Sequence, residues 1–431
     1  MQIQELTITR PEFRHMDKAE PSWLYEYRKT AWDFYHEAPF PDRVKHLWRY
    51  TAPEQFAVGE PEQAMMSLSR LTGLMDDAEP LEEPGIDGFG FNKGDYSMGF
   101  KLSPHASKAG IVFKELTMAA ANGDGLAAKH LGGLVPYKFG KFEALNAAIW
   151  NTGMFIYVPK NTTLEKPIYL HRHPTGLITA TRLLVVLGEN SEASLIDDYS
   201  CHCRKEGAIA NSVVEIFAGD RARIRYVNLQ RLGPDSRTYI THRTQLGADA
   251  EGYSIFATLG SAVSKINTGV ILNGRGARSH IYGVAVGDAK QHVDHFTAHH
   301  HLASDSQSNI DFKVVLKDRA ASAYTGLIEI AEHASNCEAY QENRNLLLNK
   351  GTRAETIPEL EILNDQVRCT HGATVGPIDP EMVFYLQSRG ISKEEATRTI
   401  VAGFIEPTIN KIPGNLGEGL KDIIFGKLEV Q

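Results

Sequence analysis

Cysteine is scarce in this chain, with four in 431 residues and no regular spacing among them. No disulfide framework can be read from so few, and such scarcity points to a reducing compartment. A surplus of basic charge is also missing: 45 Lys and Arg stand against 53 Asp and Glu, for a formal net charge of −8. That argues against the broad positive field of a general nucleic-acid binder, while leaving room for a local patch. No apolar run approaches the roughly 20 residues that cross a bilayer. The segment Met1-Gln2-Ile3-Gln4-Glu5 lacks the basic and then apolar pattern of a secretory leader. A soluble, cytoplasmic protein is therefore expected, with neither nucleic acid nor membrane as a partner.

Several catalytic motifs are missing too. No G-x-x-x-x-G-K-[ST] phosphate loop occurs, so the chain is not expected to hydrolyse ATP itself, and neither G-x-S-x-G nor H-E-x-x-H is found. What the chain does have is ordinary foldable material, 42% apolar and 23% charged. That is enough for a large core without cross-links.

Three regions separate along the chain. In the first, residues 1–95, Ser22 is a candidate N-cap for a helix over Trp23–Tyr35, whose Trp23, Tyr27, Ala31 and Phe34 share helical spacing. Pro39 and Pro41 end it. A short helical stretch precedes Trp48-Arg49-Tyr50-Thr51, and residues 55–95, acidic and rich in Gly and Pro, read as linker or irregular structure.

The second region, residues 96–377, carries one further helix near 141–150, stopped by Gly153. Beyond it Met154–Pro159 reads as the first of many strands. From about 154 to 368 helical patterns disappear, and short β-rich runs alternate with small turns that end in Ala. The Ala of four turns (Ala193, Ala222, Ala250, Ala277) recur at about 28 residues, a spacing typical of stacked repeats. Lys317–Ala321 and Asn349–Ala354 continue the pattern more widely spaced, and Asn273-Gly274-Arg275-Gly276-Ala277 is glycine-rich as a repeat turn. A unit this short cannot bury its own apolar face, so neighbours must stack. A mainly β fold with a β-helix (β-solenoid) core follows, a β-sandwich with regular turns being the alternative.

The third region, residues 378–431, returns to helix. Asp379-Pro380-Glu381 combines an N-cap with Pro at the first helical position, Met382, Phe384, Tyr385 and Leu386 form an apolar side, and Gly390 ends the helix. Ser392-Lys393-Glu394-Glu395 is a capping box for the next helix, Pro407 and Pro413 interrupt the tail, and Ile423-Ile424-Phe425 add an apolar turn. Such a helical end either caps the open β edge or binds a partner.

The stretch from Asp365 to Pro377 joins the β region to the helical tail and contains Cys369 and His371. In an extended segment residues i and i+2 point the same way, so thiol and imidazole can meet one metal, iron and zinc suiting both donors. Two ligands are too few for a closed site. Spacing alone leaves two readings open: a buried Cys beside a hydrogen-bonded His at a strand end, or half of a ligand set. Cys201-His202-Cys203 is denser but has no second pair at zinc-finger spacing. In Gln291–His301, which holds five His, His295, His299 and His301 share one strand face, and His292, Asp294 and His300 the other. Metal or proton-transfer chemistry is conceivable there, as is a polar ladder. Cys337 reads as structural, and the polar run Tyr340–Asn345 as a turn-edge hydrogen-bond ladder.

Several of these stretches together carry a family resemblance. Pro358-Glu359-Leu360-Glu361-Ile362, Val367–Gly376 and Phe384-Tyr385-Leu386-Gln387-Ser388-Arg389-Gly390-Ile391 resemble the signature of SufD, in the SufB/SufD family of Suf iron–sulfur cluster assembly subunits. Gln341–Leu348, Lys141–Ala147 with Tyr157-Val158-Pro159, and Trp48-Arg49-Tyr50-Thr51 are similar to the same family, so the resemblance spans most of the chain. It implies a right-handed parallel β-helix between helical ends and a scaffold that is not itself an enzyme. It also implies pairing with a SufB paralogue, or with itself in isolation, and a SufC ATPase docked on the C-terminal helical domain. The implied role is to support iron entry and cluster formation. Cys369 and His371 match the family position at the SufB–SufD interface, which implies that His371 first, and Cys369 second, ligate iron or a transient cluster shared with SufB. A SufB would be expected to carry a carboxylate next to that His; here Gly372 follows it. Cys201-His202-Cys203 and His299–His301 lie outside the family pattern. The rival expectation, from the residues alone, is a β-helix enzyme acting on polysaccharide, or a metal-dependent hydrolase using the His-rich strand.

Overall fold

The computed structural model describes residues 20–44, 46–58, 73–75, 85–93, 97–121, 125–174, 178–201, 208–411 and 416–428. The chain is mainly β, a parallel solenoid of about seven turns with helices at both ends. From Thr152–Val158 to Val367–Pro377 successive strands join two sheets alternately, and every pair within each sheet over this stretch is parallel. Among the described residues antiparallel pairing is confined to the N-terminal end, where Gly88–Lys93 pairs with Ser97–Leu102 and Val112–Glu115 with Thr152–Val158. The stretch 55–95, expected to be irregular, thus contains two sheet strands, Gly73–Met75 and Gly88–Lys93. The strand Thr152–Val158 is not the first.

The repeat visible in the sequence is one solenoid turn. A residue in the left-handed region recurs about every 29 residues along one edge, at Asn161, Asn190, Arg221, Asp249, Gly276, Asp305 and Asn336. Asn and Asp tolerate this conformation because their short polar side chains bond locally. The ladder corrects the sequence alignment in two places. Arg223 lies opposite Glu192, so the position equivalent to Ala222 is Ser191 rather than Ala193. The turns Lys317–Ala321 and Asn349–Ala354 join strands in the other direction, on the opposite edge. The column Ala222, Ala250, Ala277 continues instead through Ser306 and Cys337. Cys337 is buried with its thiol 3.2 Å from Ser306 Oγ, a structural place as expected.

Gly274 has a packing reason. A Cβ there would lie 2.0 Å from the backbone N of Ala248 in the turn beneath. The glycine lets two turns stack, and it sits between strands, away from any strand-to-helix junction.

Apolar side chains of alternate strand positions fill the lumen between the sheets. The outer face of the nine-stranded sheet is covered by the N-terminal helices Ser22–Glu37 and Lys141–Ile149. The first of these starts at Ser22 itself, with Pro21 in the cap position, and its buried side is Leu24, Arg28, Ala31, Trp32 and Tyr35. The expected face is rotated because Arg28 is satisfied inside: it pairs with Glu20 at 2.5 Å and donates to the Trp150 carbonyl at 2.6 Å. Tyr27 and Phe34 pack at the rim on Tyr137. The second helix ends at Ile149, where Trp150 turns extended, and Gly153 belongs to the next strand.

The C-terminal helices Lys393–Ile409 and Leu416–Leu428 lie on the outer face of the eleven-stranded sheet. Val401, Ile405, Ile409, Leu420 and Ile424 pack there against Val227, Ile255, Val284 and Val315. Lys427 adds bonds to the carbonyls of Leu259 and Val286. Asp379 caps Pro380–Ser388 and Ser392 caps Lys393–Ile409, as the sequence predicts. Pro407 is carried inside the second of these helices, near its end, instead of breaking it; Pro413 lies outside the described residues. These helices flank the solenoid and leave its last turn uncovered.

Candidate functional site at the open end

Among the described residues the last strand of each sheet, Arg353–Ile362 in one and Val367–Pro377 in the other, has a sheet neighbour on one side only. The free edge of Val367–Pro377 is eleven residues long, with no Lys and with its only Pro at the last position. Devices that blunt an exposed edge are therefore few. Leu360, Ile362, Leu363 and Val375 are exposed around it.

Register places both candidate ligands on one side of this strand. In Cys337–Leu347 the buried positions are Cys337, Ala339, Gln341, Asn343 and Asn345, which face the lumen. Their partners on the last strand are Val367, Cys369, His371, Ala373 and Val375. Cys369 and His371 thus share the lumen-side row of the terminal rung, as the i, i+2 spacing predicts. Cys369 is half-buried and His371 exposed. Burial, and then the nearby Cys337, push the Cys369 thiol above its ordinary range, so a metal ion taken there must displace a proton.

The floor beneath the pair differs from the turn-edge ladder that the sequence suggests. Gln341, Asn343 and Asn345 form no turn-edge ladder; they line the lumen directly under the last rung. Asn345 Nδ2 donates to Asn343 Oδ1 at 2.6 Å and to the Thr374 carbonyl of the last strand at 3.0 Å. Gln341 Nε2 donates across the lumen to the Gly326 carbonyl at 3.2 Å. Alternation within Tyr340–Asn345 was the available signal, since every second residue is an amide.

The other candidates sit elsewhere. Cys201 ends a strand, with its sulfur 3.6 Å from His173 Nε2; His202 and Cys203 lie outside the described residues. The His-rich strand divides as its alternation predicts. His295, His299 and His301 face the lumen and bond to Thr258, to Ser279, and to Ser306 and Ser308. Burial drives all three below the ordinary imidazole range, to about 3 for His295 and about 4 for His301. On the outer face His300 meets Glu329 at 2.5 Å, a carboxylate partner not evident in the sequence, and His292 joins Thr51 at 2.8 Å. Among the described residues no group of three or more His, Cys, Asp or Glu is placed to hold a metal ion. The lumen side of the His-rich strand is thus a buried hydrogen-bond ladder.

Comparison with known proteins finds relatives over most of the chain. Residues 171–404 match the family described as "SUF system FeS cluster assembly, SufBD core domain", and residues 95–170 match "SufBD protein N-terminal region". The iron-sulfur cluster assembly protein SufB of Bacillus subtilis is 27% identical over 426 residues, covering 96% of this chain and 90% of that protein. An iron-sulfur cluster assembly SufBD family protein of Staphylococcus aureus is 27% identical over 422 residues, with the same coverage.

Proposed function

Because the chain belongs to the SufBD family of iron–sulfur cluster assembly proteins, we propose that it is a SufD-type, non-catalytic scaffold subunit whose open solenoid end meets a SufB paralogue. The observation that carries this reading is the placement of Cys369 and His371 on the lumen side of an unpaired terminal strand. A free parallel edge rimmed by apolar side chains favours a second protein chain over solvent. A thiolate and an imidazole facing one way supply half of a four-ligand site, and a partner's edge with two more donors completes it. Iron or the nascent cluster is cargo in this reading, held across the seam and passed on. Gly372 beside His371, in place of a carboxylate, favours the SufD branch.

The second contact is a SufC-type ATPase. On Pro380–Ser388 only Val383 is buried, while Met382, Phe384 and Tyr385 stand exposed. Most of the apolar side read from the sequence thus points to solvent, which suits a docking surface. ATP-driven movement of that subunit would act on the seam through the helices seated on the eleven-stranded sheet.

The test is cluster formation on the reconstituted complex of this chain with its SufB and SufC partners. His371→Ala is expected to lower cluster yield while leaving the thermal midpoint and complex assembly intact, with Cys369→Ser showing a smaller loss. Unchanged yield in both variants would remove the ligand assignment, and failure of the chain to bind a SufB paralogue would remove the scaffold reading.

A further inference from the structure

Gln341 is 1% exposed, and its side-chain oxygen Oε1 has no hydrogen-bond partner among the described residues. Its Nε2 donates to the Gly326 carbonyl of the opposite sheet, and only the amide nitrogen can do so, which settles which end of the carboxamide is which. Gly326 makes room for this: a Cβ there would lie 2.6 Å from Oε1. An acceptor is thus held in the lumen with its orientation set and its bond unmade, a costly state for a buried group. In the ladder the residue directly above it is His371. Adjacent rungs are about 4.8 Å apart, within reach of an imidazole that turns down onto the floor. Thr356 Oγ1, at a lumen-side position of the other terminal strand, is likewise without a partner.

We propose that Gln341 is a positioning residue for His371: when His371 takes a metal ion through one ring nitrogen, Gln341 Oε1 accepts the N–H of the other. A ligating histidine commonly donates its second N–H to a carbonyl or carboxylate, which sets its tautomer and ring orientation and raises its basicity. This chain holds such an acceptor ready one rung below an otherwise unsupported, exposed imidazole. The inference rests on the reading of His371 as a ligand and adds the group that orients it.

The test is anaerobic titration of the full chain in complex with its SufB partner with cobalt(II), followed by its visible absorption bands, with wild type, His371→Ala, Gln341→Met and Gln341→Glu; a wild-type complex that takes no cobalt removes the ligand reading. Gln341→Met is expected to weaken cobalt binding 10- to 100-fold, the usual cost of losing such an outer partner. Gln341→Glu, which keeps an acceptor oxygen, is expected to restore affinity to within a few-fold. Gly326→Ala, whose Cβ displaces the carboxamide, gives the same loss by another route should Gln341→Met fail to fold. If His371→Ala binds cobalt as wild type does, the ligand reading falls and this inference with it. If His371→Ala loses binding while Gln341→Met and Gly326→Ala keep wild-type affinity, the inference alone is overturned; so too if Gln341→Glu is as weak as Gln341→Met.

Discussion

Lys265 and Asp294, on neighbouring strands of the nine-stranded sheet, form a buried ion pair at 2.8 Å that clasps the N-terminal segment to the solenoid. Lys265 Nζ also donates to the Leu47 carbonyl and lies 4.8 Å from the Trp48 ring centroid. Asp294 accepts from Thr51, whose hydroxyl also meets His292. Trp48 stacks on Tyr239 at 5.6 Å. The Trp48–Thr51 stretch is therefore docked on the solenoid wall.

Removing one member of this pair leaves a buried charge without its counterion. Asp294→Ala is expected to destabilise the chain by about 3 kcal/mol or more. Replacing both, as Lys265→Met with Asp294→Leu, is expected to recover much of that loss. Denaturant unfolding followed by tryptophan fluorescence checks both, and equal stability of Asp294→Ala and wild type would show that the clasp contributes nothing.

The lumen histidines make stability depend on pH. Burial lowers His242 and His295 to about 3 and His301 to about 4, with His299 well below its ordinary 6.5. Above 6.5 both folded and unfolded chains carry these rings neutral, and nothing is lost. Below it the unfolded chain binds protons that the folded chain refuses, so stability falls as pH falls. Each such ring contributes about 1.4 kcal/mol per pH unit. His295→Gln is expected to make the fall between pH 6.5 and 5 shallower by about one proton. Unfolding midpoints at several pH values check this, and an unchanged slope would mean that His295 is protonated in the fold.

The two sides of the C-terminal helices should separate binding from stability. Ile405→Ala, in the layer against the eleven-stranded sheet, is expected to cost about 2–5 kcal/mol. Phe384→Ser and Tyr385→Ser, at exposed positions, are expected to change stability by no more than about 0.5 kcal/mol while weakening capture of a SufC-type ATPase. Undiminished capture by the double variant would put the docking surface elsewhere.

At the turn Asn273–Ala277 the stacking argument gives a sharp outcome. Gly274→Ala places a methyl against the backbone of Ala248, which cannot swing aside as a side chain can. A loss of about 1–3 kcal/mol is expected, read as a lower thermal midpoint; a wild-type midpoint would show that the turn has slack.

Much of this protein is written locally. The i, i+2 placement of Cys369 and His371, the split faces of the His-rich strand, and the caps Asp379 and Ser392 all follow from residues within one element. They could be read because backbone geometry alone fixes those relations. What only the tertiary structure decided lies between elements far apart in the chain. Ser191 rather than Ala193 joins the small-residue column because register is set across a whole turn. Arg28 turns its helix inward because Glu20 and the Trp150 carbonyl wait there. Met382, Phe384 and Tyr385 face out because the next two helices occupy the sheet. Above all, Gln341 sits under His371, and the end that carries them stays open. These are outcomes of stacking, in which side chains some 30 residues apart become neighbours about 4.8 Å distant, and no local pattern records which will meet.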